Sequence, residues 1–192
     1  SSWLDHRPAE WPGLLLTTAE QADVFPLDRY QWQDSDGDWV GDEANTPRSD
    51  ACPYRWGDSY GDRVGCPDSD GDGFSDPDVD NPKHPEGDAD AFPDDPTQWR
   101  DTDGDGFGDN QSGNNPDDCS GEAGTSFEDR DGCPDMDGDG WSNGGDAMPV
   151  DPTQWLDRDG DGYGDNLNGS NPDAFSDDGT QWSDRDGDGY GD

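Results

Sequence analysis

Six times in 192 residues the chain repeats one nine-residue pattern, D-x-D-G-D-x-x-x-[DN]. The copies, numbered loop 1 to loop 6, occupy residues 34–42, 68–76, 101–109, 135–143, 157–165 and 184–192. Acidic residues at positions 1, 3 and 5 bring three carboxylates to one side of a tight turn. Like charges held so close repel unless a cation lies among them. The whole chain is biased the same way, with 50 acidic residues against 10 basic ones and a formal net charge of −40. Of the acids, 44 are Asp and 6 are Glu. Solubility alone does not explain that choice, because the two carry the same charge. Asp is the shorter side chain, tolerates turns, and keeps its carboxylate near its own backbone, which suits tight loops around a cation.

Leu, Val and Phe together number 18, and Ile is absent. That is about half the apolar content below which a highly charged chain is expected to be disordered. An ordinary hydrophobic core could not offset the entropy of ordering so many residues. Order must therefore come from something other than apolar burial. Gly and Pro total 44, which favours turns, and no helical or strand period persists between the loops. The predicted fold is mostly irregular coil and turn: calcium-stapled tandem repeats with very little regular helix or strand. A turn or short helix is expected around residues 97–99 and their equivalents. Residues 3–20 are the one candidate for a longer helix or strand. No stretch approaches the ~20 apolar residues of a membrane span. Nucleic acid and anionic membranes would be repelled. The sequence has no initiator Met and no signal peptide, which reads as a processed protein or a fragment.

A second pattern, D-[AV]-[FM]-[PS]-x-D-x-x-Q-W, starts at Asp23, Asp90, Asp146 and Asp173. Its Trp stands two residues before the first Asp of loops 1, 3, 5 and 6. Loops 2 and 4 follow Gly-Cys-Pro instead. An offset of 67 relates Asp23 to Asp90, Trp32 to Trp99, Cys52 to Cys119, Cys66 to Cys133 and Asp68 to Asp135. The organisation read from these repeats has five parts. Residues 1–22 form an apolar segment, an expected assembly contact. Residues 23–89 and 90–145 are repeat units with two loops and one disulfide each. Residues 146–172 are a third unit with one loop, and residues 173–192 start a fourth.

The loops match the first nine positions of an EF-hand calcium loop: carboxylates at 1, 3 and 5, Gly at 6, a backbone carbonyl at 7 and a ligand at 9. Calcium takes 6–8 oxygen ligands, and no nitrogen or sulfur set suited to zinc is present. The expected ligands are Asp34, Asp36, Asp38 and Asp42 in loop 1, and Asp68, Asp70, Asp72, Phe74 and Asp76 in loop 2. Loop 3 offers Asp101, Asp103, Asp105, Phe107 and Asp109, and loop 4 offers Asp135, Asp137, Asp139, Trp141 and Asn143. Loop 5 offers Asp157, Asp159, Asp161, Tyr163 and Asp165, and loop 6 offers Asp184, Asp186, Asp188, Tyr190 and Asp192. Each aromatic residue here supplies its carbonyl. At least one Ca2+ per loop is expected, six or more in all.

An EF-hand closes with an acid at position 12, which here only Asp146 supplies. The other closed loops offer a later Asp in the context D-x-[CFM]-[PS]. Asp50 closes loop 1, Asp90 loop 2, Asp117 loop 3, Asp146 loop 4 and Asp173 loop 5. The shared Cys, Phe or Met is expected to be a small buried anchor beside each metal. Loop 6 opens and is not closed, while Asp23 is a closing acid with no loop before it.

These residues carry a resemblance. D-x-D-G-D-G-x-G-D followed by D-x-C-P, with Q-W-x-D-x-D leading into four of the loops, resembles thrombospondin type 3 repeats. The DAFPxDPTQW form is similar to prokaryotic, especially archaeal, members of that family. The resemblance covers about residues 23–192 and implies an extracellular chain wound around a string of calcium ions, with more than one ion in some repeats. Departures are Trp39 at a usual Gly, Asn143 at a usual Asp, and Phe or Met at usual Cys positions.

Four cysteines allow three pairings. The pairing Cys52–Cys66 with Cys119–Cys133 is the one that repeats with the unit, and disulfides imply an oxidising compartment. Asn110 and Asn168 head N-glycosylation sequons. The Trp of each Gln-Trp pair is expected to cover a turn and shield a metal site. His6 and His84 are isolated, no Ser-His-Asp or Cys-His set exists, and no enzymatic activity is expected. The expected function is a secreted, calcium-binding structural repeat protein of an extracellular fibre, filament or stalk, assembled head-to-tail from copies of itself. The alternative is a cell-surface adhesion or glycan-binding module using exposed Trp residues.

Overall fold

A computed structural model of the chain describes residues 23–192. The expectations for residues 1–22, including a helix or strand over 3–20, lie outside the described residues. Among the described residues there is no helix, and extended pairing is limited to four single parallel bridges. Three of these, Gly41–Ser49, Gly108–Pro116 and Gly164–Pro172, join position 8 of a loop to the residue before its closing Asp. The fold is coil and turn, as the Gly and Pro content and the missing apolar period predict. The segment before each Gln-Trp pair is a run of turns, not a short helix: the Asp28 N–H donates to Phe25 O (2.8 Å), and the Gln31 N–H to Asp28 O (3.2 Å). The Asp151 and Gln154 N–H groups repeat this with Met148 O and Asp151 O. No helix of the described residues is long and apolar enough to cross a membrane.

The interior is polar. Among the described residues, the only buried apolar ones are Cys66, Cys133, Ala89 and Ala91. The remaining fully buried side chains are Gln98, Gln154, Asp90, Asp117, Asp173, Ser59, Ser75, Ser126 and Ser142. Hydrophobic burial contributes little here, so these groups must be satisfied by one another or by a ligand.

The chain divides into two compact units. One holds the described residues up to Lys83 together with Gly87–Pro96; the other holds His84–Glu86 and Thr97–Asp192. The cut follows Pro96 because Asp90 belongs physically to loop 2: its N–H donates to Ser75 O at 2.9 Å. Disulfides join Cys52 to Cys66 and Cys119 to Cys133, each with Cα atoms 5.0 Å apart. Within each bridged segment a buried serine ties the turn: Cys66 N–H donates to Ser59 Oγ, and Cys133 N–H to Ser126 Oγ, both at 3.0 Å.

Candidate metal centres

Every loop is shaped by its own carboxylates. The position-1 Asp accepts two backbone N–H groups, from positions 4 and 6. For Asp68 these are Gly71 and Gly73, both at 2.8 Å. Asp34, Asp101, Asp135, Asp157 and Asp184 do the same. The position-6 residue must be left-handed for this. Five loops have Gly there, with φ from 84° to 102°, whereas Trp39 of loop 1 holds φ at 73°. The position-5 Asp accepts the N–H of position 7, so Asp72 holds Phe74, Asp105 Phe107, Asp139 Trp141, Asp161 Tyr163 and Asp188 Tyr190. The position-9 side chain clasps position 2. Asp42 accepts Ser35 N–H and Oγ–H, Asp76 those of Ser69, and Asp109 those of Thr102. Asn143, Asp165 and Asp192 accept the N–H of Met136, Arg158 and Arg185.

Carboxylate oxygens of positions 1, 3 and 5 lie within 4.8 Å of one another in loops 1 to 5. The closing acids come to these clusters from far along the chain. The N–H groups of Asp50, Asp117 and Asp173 donate to the position-8 carbonyls Gly41, Gly108 and Gly164, and that of Asp146 to Ser142 O, all at 2.8–2.9 Å. In each case Oδ1 accepts the N–H two residues on, from Cys52, Phe92, Cys119, Met148 or Phe175. The shared Cys/Phe/Met position therefore acts through its backbone. Its side chain is half-buried rather than the buried anchor expected, which is why three unlike residues serve there.

The second oxygen of Asp50, Asp117 and Asp173 is buried and has no hydrogen-bond partner. Oδ2 of Asp36, Asp70, Asp137 and Asp159 at position 3, and of Asp72, Asp139 and Asp161 at position 5, are in the same state. Burial, reinforced by the neighbouring loop carboxylates, pushes Asp50, Asp70 and Asp117 up to about 6 and Asp90 up to about 7. Asp146 is raised for the same reasons, by burial and by Asp139, Asp137 and Asp135. A buried carboxylate oxygen without a donor is costly. Several converging on one point form an all-oxygen cage for a hard cation, and this donor set fits Ca2+. In the first and third clusters the disulfide segment adds a wall. A Cβ on Gly65 would stand 2.5 Å from Asp50 Oδ1, and one on Gly132 would stand 2.4 Å from Asp117 Oδ1.

Loop 6 keeps the internal hydrogen bonds, but no closing acid reaches it among the described residues, and Asp186 and Asp188 stay exposed. Asp23 makes the closing-type bond, accepting Phe25 N–H at 2.9 Å, and is exposed, with no loop beside it among the described residues.

Sequence reasoning missed the residues that hold the loops to their closers. Gln31, Gln98 and Gln154 are buried, while Trp32 and Trp182 are exposed and Trp99 and Trp155 half-buried. Trp182 stacks on Tyr163 of loop 5, ring centres 5.1 Å apart, but the residue buried at these turns is the Gln. Gln98 Oε1 accepts Asn110 N–H (2.9 Å), and Nε2 donates to Asn110 O (3.0 Å) and Asn114 O (2.8 Å). Loops 2 and 4 lack this Gln. There Asp62 accepts Ser75 N–H and Oγ–H, and Asp129 accepts those of Ser142. The signal was present at position 8, which is Gly after every Gln-Trp and Ser after every Gly-Cys-Pro. The two sequons also differ. Asn110 Nδ2 donates to Thr97 O at 2.8 Å, whereas Asn168 is exposed.

Models of known protein families do not match this chain, and no curated protein matches it.

Proposed function

We propose that this is a calcium-ordered structural repeat protein of the thrombospondin type 3 kind, working outside the cell as part of a fibre, filament or stalk. One observation carries the reading: Asp117 and Asp173 are each 1% exposed, yet each keeps an oxygen without a partner, beside a cluster of three further carboxylates. Water does not reach these oxygens and no protein donor serves them, so a cation is the group that completes them. Two disulfides agree with an oxidising compartment. With so little apolar burial, metal binding supplies the folding free energy, and the metal-free chain expands under its own charge.

The test is small-angle scattering and calcium titration of the same sample. In EDTA the radius of gyration is large; excess calcium contracts the chain and at least five ions bind tightly, one per closed loop. An unchanged radius defeats the calcium reading. Light scattering on that sample tests assembly from copies of the chain: a mass that stays monomeric at high concentration removes the head-to-tail filament.

A further inference from the structure

The two disulfide-bridged repeats act as controls for one another. At the offset of 67, Trp39, Tyr54, Trp56 and Asp58 of the first correspond to Gly106, Gly121, Ala123 and Thr125 of the second. Both repeats make the same loop, the same disulfide and the same closing bond, so the fold does not need the three rings. Nor are the rings buried: Trp39, Tyr54 and Trp56 are 76%, 82% and 59% exposed. Trp39 also takes a left-handed backbone conformation that any residue with a Cβ disfavours, at a position where five loops use Gly. A residue held against its local preference in this way, and pointing into solvent, signals a role outside folding.

The three rings stand on two chain segments that the fold brings together. The Gly57 N–H lies beside the Asp38 carboxylate, and Trp56 and Trp39 are the chain neighbours of those two residues. Tyr54 stands in the turn closed by Arg55 N–H on Cys52 O at 2.8 Å. Arg55 itself is drawn to Asp78, 3.4 Å away. Asp58 is exposed, belongs to no loop or closing segment, and has no hydrogen bond or ion pair among the described residues. The same unit also shows what its exposed rings accept: the Arg29 guanidinium sits 5.0 Å from the centre of the Tyr30 ring.

We infer that Trp39, Tyr54, Trp56 and Asp58 form a docking face for an arginine- or lysine-rich segment of a partner protein. Guanidinium or ammonium groups would lie on the rings, with Asp58 as their countercharge. Charge complementarity selects this occupant. A chain of formal charge −40 steers cations toward itself, repels anionic polymers, and gives a neutral saccharide no such help. The inference rests on the calcium reading, because loop 1 carries Trp39.

The test uses the full chain in calcium and a fluorescent nonaarginine peptide. The variant Trp39→Gly, Tyr54→Gly, Trp56→Ala imports residues that the second repeat already carries and leaves the charge unchanged. Scattering first checks that both proteins contract in calcium; failure of the native chain to do so counts against the calcium reading, not this one. The peptide should bind the variant at least about tenfold more weakly, and Asp58→Thr should weaken it severalfold. If the variant does not contract, indole N–H NMR signals of Trp39 and Trp56 in the native chain decide, shifting when peptide is added. Equal affinity for both proteins, or unmoved indole signals, would overturn the inference by reducing the attraction to net charge. Ring-dependent binding of cellohexaose in place of the peptide, or ring-dependent dimerisation, would overturn it in favour of a glycan or a second copy.

Discussion

Replacing Gly164 by Ala tests the account of how a loop is held to its closing acid. The new Cβ would stand 2.1 Å from Gln154 Oε1 and 2.3 Å from its Cδ, far inside contact distance. Gln154 is 1% exposed and has no free volume to retreat into. It would have to give up its bonds from Asn166 N–H (2.9 Å) and to Asn166 O (3.1 Å) and Ser170 O (2.9 Å). At about 1 kcal/mol for each bond, plus the penalty for backbone groups left buried without partners, the cost is roughly 2–4 kcal/mol. In a Gln154→Ala background the clash is gone, and Gly164→Ala should cost under about 1 kcal/mol. Position 8 is not intrinsically hostile to a side chain, since Ser75 and Ser142 occupy it in loops 2 and 4, where no Gln approaches. Urea unfolding in saturating calcium, run on the four proteins of the double-mutant cycle, gives the coupling directly. A silent Gly164→Ala, or an equal cost in both backgrounds, would refute the reasoning.

Three further outcomes are expected. In EDTA, acidification from about pH 8 to about pH 5 should contract the chain. Asp50, Asp90 and Asp117 titrate at about 6–7 in the fold against 3.8 unfolded, so the penalty of ionising them is full above pH 7 and fades as pH falls. Under limiting calcium the same acidification should release the ion, and a metal-free chain that expands would contradict the sign. Reducing both disulfides at constant calcium should loosen loops 1 to 4, at about 3 kcal/mol per bridge, while loop 5, whose repeat unit has no disulfide, holds. The amide NMR signals of Gly71 and Gly160 report the two classes separately, and equal loss in both would place the disulfides in the wrong role. In a glycosylating host, mass spectrometry should find Asn168 modified and Asn110 bare, because Asn110 Nδ2 is bonded to Thr97 O at 2.8 Å; occupancy of Asn110 in the contracted protein would show that bond to be dispensable.

Much of this architecture was legible because it is local or strictly repeated. A carboxylate at every second position with Gly between sets the loop regardless of what surrounds it, so Asp68, Asp70 and Asp72 could be grouped by spacing alone. Repetition made the long-range partners visible too: D-x-[CFM]-[PS] recurs after each closed loop, and the structure brings Asp50, Asp90, Asp117, Asp146 and Asp173 to loops 1 to 5 in that order. The disulfides followed from the same unit. What only the tertiary structure decided is which polar residues lie inside. Gln98 reads as a surface residue, yet it is buried, while Trp99 beside it is only half-buried. The cost of burying an amide depends on its partners, and those of Gln98, Asn110 and Asn114, stand 12 and 16 residues away and face it only once the turns between them have formed. An apolar side chain announces its burial by its own chemistry. In an interior made of amides, carboxylates and hydroxyls, burial is a property of the assembled hydrogen-bond and metal network, and no single residue carries it.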